Sequence, residues 1–133
     1  MIFLADKDGH RCPVVWKSRK VRRVVKSTLA AETLALLDAA ENAFYIRKIL
    51  EDIGIDGTVP IRCLVDNKSL VDALKSMKMV EDKYLRINMA CLKDMLSRGD
   101  VSSVEWVNTN QQLANCLTKK GASPVSLVEA ISQ

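Results

Sequence analysis

The sequence predicts an α/β fold, a mixed β-sheet with helices packed on it. Three observations carry this. A long stretch, residues 26–50, repeats its apolar residues at helical spacing. Short apolar runs such as "IRCLVD" (61–66) and "VSSVEWV" (101–107) have strand length and are set off by turn residues. The two kinds of segment alternate along the chain, in the order β-β-α-β-α-α-β-α-α.

Taken in order, "MIFLADKDGHRCPVVW" (1–16) reads as a hairpin. Residues 1–4 form an apolar strand, "DKDG" is a turn, and residues 12–16 return. The basic stretch "WKSRKVRRVVK" (16–26) follows, and Ser27 or Thr28 caps the long helix. At about 100° per residue, Leu29, Thr33, Leu36, Ala40, Ala43 and Phe44 share one face of that helix. Two polar residues break the pattern: Arg47 falls on the apolar face and Glu32 lies at its flank. "EDIGIDGTVP" (51–60) ends the helix with a glycine-containing turn, and the strand 61–66 comes next. A second helix spans 67–77, a connector 79–84 and a third helix 85–99, with Gly99 as its C-cap. The strand 101–107 precedes a fourth helix over 110–122 and a short terminal helix over 123–132.

A chain of 133 residues, 48% of them hydrophobic, predicts a single domain over 1–133 with a real core. No apolar run approaches the roughly 18 residues a membrane helix needs. The apolar N-terminal run stops at Asp6, too short for a signal peptide, and no basic segment precedes it. The expectation is an intracellular protein, cytoplasmic or nuclear, with no membrane partner. Cys12, Cys63, Cys91 and Cys116 are scattered and form no C-x-x-C pair, which reads as reduced thiols rather than a disulfide framework or zinc site. His10 is the sole histidine, so any Ser/His/Asp triad or Cys/His pair would have to use it. A hairpin turn is a poor place for either, and nucleophilic catalysis is set aside.

The net charge of +4 is unevenly placed. Lys17, Arg19, Lys20, Arg22, Arg23 and Lys26 crowd into ten residues beside Trp16. Such a segment is either a polyanion-binding edge or a solvated strand edge or import-like patch. Trp16 is correspondingly either part of that surface or a core aromatic at a strand end.

Glu32 and Asp66 are the candidate catalytic and metal-binding carboxylates. Asp66 ends an apolar strand and is followed at once by a helix. Ligands gather at the carboxyl ends of strands in open α/β sheets. A strand-end Asp and a Glu on a packed helix are hard oxygen donors suited to a divalent cation. Two such ions about 4 Å apart would activate water and stabilise the leaving oxygen in phosphodiester cleavage. Each acid has a plainer explanation. Glu32 could be a snorkelling or capping carboxylate near its helix start, where the dipole favours acids, and Asp66 could cap the helix over 67–77.

The segments "WKSRK", "VVKSTLAAETLAL", "LVDNKSLVDAL", "DKYLRI" and "VEWVNTNQQLANCLTKKGA" together resemble the ribonuclease H domain of copia-type LTR retrotransposon Pol polyproteins, the reverse transcriptase-bearing polyproteins of that class. The match spans nearly the whole chain, in order; no single motif is decisive, but the set is specific. The resemblance implies a five-stranded mixed sheet flanked by helices. It implies cleavage of the RNA strand of RNA–DNA hybrids with Mg²⁺ or Mn²⁺. By position, Glu32 corresponds to the family's helix glutamate and Asp66 to its strand-end aspartate.

The departures from the family pattern matter equally. The first strand, with its catalytic Asp, would precede Met1, so the expectation is an N-terminally truncated ribonuclease H-like domain lacking that strand. Asp6 and Asp8 lie in the hairpin turn and do not replace that Asp. Asn115 stands where the family carries its last acid, and Asn88 where members often have Asp. Two of the four expected acids are therefore absent, which predicts impaired catalysis. The expected partners are an RNA–DNA hybrid, held by Trp16 and the basic segment, and an upstream reverse transcriptase segment. The alternative is a non-catalytic nucleic-acid-binding module or a decayed transposon fragment.

Overall fold

The structure is a computed structural model that describes residues 1–6, 8, 10–15, 27–55, 59–76 and 82–108. Its elements are β1 (Ile2–Ala5), β2 (Arg11–Val15), α1 (Thr28–Asp52), β3 (Arg62–Val65), α2 (Lys68–Lys75), α3 (Lys83–Arg98) and β4 (Ser103–Trp106). The β-β-α-β-α-α-β order is as the sequence predicts. The helices predicted over 110–122 and 123–132 lie outside the described residues. Rather than one mixed sheet, the described strands form two two-stranded sheets, β1 with β2 and β3 with β4. The chain divides into two compact units, residues 1–22 with 107–133, and residues 23–106.

In the first unit β1 and β2 pair antiparallel, with Leu4 opposite Cys12 and Ala5 opposite Arg11. The ladder skips Val14: Ile2 pairs with Val15 and Phe3 with Pro13. Proline has no N–H to give a ladder, and a bulge beside it is where a strand tolerates it. The turn closes with the Asp6 N–H donating to the His10 carbonyl at 3.0 Å.

The second unit is built on α1. Ser27 is its N-cap, in extended conformation, and its Oγ accepts the Ala30 N–H at 3.1 Å. The helix is rich in alanine and leucine, good helix formers. It ends in a Schellman arrangement. Gly54, at φ 91°, donates to the Glu51 carbonyl, and Ile55 donates to that of Leu50, each at 3.1 Å. The left-handed turn is what requires glycine there.

α2 starts at Asn67, whose Oδ1 accepts the Leu70 N–H at 3.2 Å. α3 begins two residues before the predicted 85, because the Asp82 carboxylate accepts the Leu85 N–H at 2.9 Å and so caps the helix there. It ends at Gly99, φ 78°, the predicted C-cap.

The core gathers one stripe from each helix. Leu36, Leu37 and Ala40 of α1 join Leu70, Val71 and Leu74 of α2 and Leu85, Met89, Leu92 and Met95 of α3. Ile61, Val101 and Val104 complete it. Leu70 and Leu92 are each 1% exposed, and burying such a side chain contributes about 1.5–3 kcal/mol. β3 and β4 run parallel, with Cys63 opposite Val104 and Val65 opposite Trp106. Parallel neighbours need a long crossover, which α2 and α3 supply. Only one face of this pair is covered. On the other, Arg62 Nη2 meets Glu105 Oε2 at 2.9 Å beside the exposed Leu64.

Candidate functional site

The flank position predicted for Glu32 corresponds to a half-buried residue in the second turn of α1, next to the fully buried Thr33. Thr33 secures that turn by donating its hydroxyl to the Leu29 carbonyl at 2.7 Å. The first turn of α1 contains no acid, and Ser27 is its cap. Glu32 is therefore not the capping carboxylate of this helix.

Asp66 follows β3 directly and is half-buried. The cap of α2 comes from the next residue, Asn67. Asp66 is therefore not the N-cap the sequence suggested. β3 is parallel to β4, so Asp66 stands at the carboxyl end of a parallel strand, where the crossover helix departs.

Glu32 and Asp66 offer only hard carboxylate oxygens. Mg²⁺ and Mn²⁺ prefer such donors, and Mg²⁺ is commonly held by one or two carboxylates with waters and substrate phosphates completing its shell. Among the described residues neither acid belongs to a group of three or more close His, Cys, Asp or Glu ligand atoms. Asn88 is half-buried on α3 and brings an amide rather than a charge.

The one such group among the described residues lies elsewhere. Ligand atoms of Asp6, Asp8 and His10 fall within 4.8 Å of one another in the β1–β2 turn. Asp6 Oδ1 accepts the N–H groups of Asp8 and His10, each at 2.9 Å, and Asp6 Oδ2 lies 3.0 Å from His10 Nδ1. Desolvation works against the charged carboxylate. The hydrogen bonds from the His10 ring and from the His10 and Asp8 backbones outweigh it and hold Asp6 below its ordinary value of 3.8. An open cavity of about 410 Å³ adjoins this turn, lined by Leu4, Ala5, Asp6, His10, Arg11 and Cys12. The Asp6–His10 pairing is not among the sequence expectations. Its signal was the four-residue separation in "DKDGH", across a turn that brings its ends together.

Among the described cysteines, Cys12, Cys63 and Cys91 are free thiols, in keeping with the absence of a predicted disulfide framework. Burial pushes the Cys63 thiol up to about 11, away from nucleophilic use near neutral pH. No helix among the described residues is long and apolar enough to cross a membrane. The predicted nucleic-acid-binding residues Trp16, Lys17, Arg19, Lys20, Arg22, Arg23 and Lys26 lie outside the described residues, as does Asn115. No protein-family model and no solved structure matches the chain.

Proposed function

We propose that the chain is a ribonuclease H-like domain of a copia-type retrotransposon Pol polyprotein, with an ancestral role in cleaving the RNA strand of RNA–DNA hybrids, and that cleavage is impaired in this chain. The observation that carries the reading is the place of Asp66, directly after the carboxyl end of the parallel strand β3. Asp66 is half-buried there, and Glu32 is half-buried in the second turn of α1. The parallel pairing of β3 with β4 through two helices is compatible with a helix-flanked α/β fold.

In this reading Glu32 and Asp66 hold one Mg²⁺ or Mn²⁺ against the hybrid backbone. Asn115 and Asn88 fall at family acid positions and bring no charge, which weakens metal affinity and cleavage together. Trp16 and the basic residues of 17–26 grip phosphates and ribose without reading sequence. An upstream reverse transcriptase segment is the natural partner in a polyprotein.

The test is a labelled RNA–DNA hybrid incubated with the chain in Mg²⁺ and in Mn²⁺, alongside Glu32→Gln and Asp66→Asn. The expected result is hybrid binding that weakens steeply with salt, with weak cleavage that both variants lose. Strong cleavage that both variants lose would overturn the impairment. Salt-sensitive binding with no cleavage under any condition would identify a binding module. Absence of both binding and cleavage would sink the hybrid reading and favour a decayed fragment.

A further inference from the structure

We draw no further inference here: the strongest candidate, the exposed Asp6, Asp8 and His10 side-chain cluster in the turn between β1 and β2, is accounted for by the hydrogen bonds its own residues exchange, and no second observation in the structure points to a ligand there.

Discussion

Arg47 reaches out of the core face of α1 and donates from Nη1 to the backbone carbonyl of Asp100 at 3.2 Å. Its Nη2 lies a looser 3.8 Å from the Asp100 carboxylate. The side chain is 9% exposed, and its Cζ sits 5.0 Å from the centroid of the Phe44 ring. Its Nε has no hydrogen-bond acceptor among the described residues, although Glu51 Oε1 is 3.9 Å away. A cation on an apolar helix face is thus kept there by a carbonyl, an aromatic ring and two acids. It ties α1 to the turn between α3 and β4.

Because the shorter contact goes to a carbonyl, the two partners are unequal. Arg47→Ala should destabilise the protein by about 2–3 kcal/mol, through lost packing and the lost hydrogen bond to a part-buried carbonyl. Asp100→Ala retains that carbonyl and should cost about 1 kcal/mol or less, most of it from partly exposed ion pairs with Arg47 and Arg98. Urea denaturation of both variants and the double mutant measures this. Equal costs would show that the carboxylate, not the carbonyl, holds Arg47.

The capping assignments separate Asn67 from Asp66. Asn67→Ala should lose about 1 kcal/mol, the usual cost of deleting a cap. Asp66→Asn and Glu32→Gln keep shape and remove only charge, so each should shift stability less than Asn67→Ala in metal-free buffer. Thermal melts with and without 10 mM Mg²⁺, a concentration of order chosen to saturate weak carboxylate sites, extend the test. Stabilisation of the parent by Mg²⁺ should shrink in both charge-removing variants. An equal Mg²⁺ response in all three proteins would argue against these carboxylates as ligands.

The β1–β2 turn should respond to acid. Asp6 is held below 3.8 in the folded chain, so its contribution is fully present above that ordinary value and is lost as pH falls through the lower folded value. A carboxyl-carbon NMR titration should place Asp6 below the ordinary carboxylate range. His10→Ala should move it upward, because the ring hydrogen bond is gone while the two backbone donors remain. No movement would mean that the backbone alone sets it.

Thiol reactivity should divide the cysteines. Cys12 and Cys91 are exposed, whereas burial lifts Cys63 to about 11. With iodoacetamide at about pH 8, close to an unperturbed thiol, Cys63 should alkylate at least tenfold more slowly than Cys12 or Cys91. Peptide mass spectrometry over time reads each site. Fast labelling of Cys63 in the folded protein would show that the β3 thiol is open to solvent.

Local chemistry was enough to determine much of this chain. The spacing of Leu29, Thr33, Leu36 and Ala40 marked the buried side of α1, because a 3.6-residue repeat is written directly into the sequence. Ser27 and Gly99 announced helix ends through hydrogen bonds and backbone freedom that reach only a few residues. The flank position of Glu32 followed from the same geometry. What needed tertiary structure was everything that depends on distant partners. Arg47 looked like a flaw in an apolar face until Asp100, 53 residues away, met it. Asp66 was the cap the sequence offered for the helix over 67–77, whereas in the fold Asn67 accepts the Leu70 N–H and holds that role. Parallel pairing of β3 with β4, and the separation of the described strands into two sheets, depend on hydrogen bonds between segments far apart in sequence. Such pairing is settled by packing over the whole unit, so no local pattern encodes it.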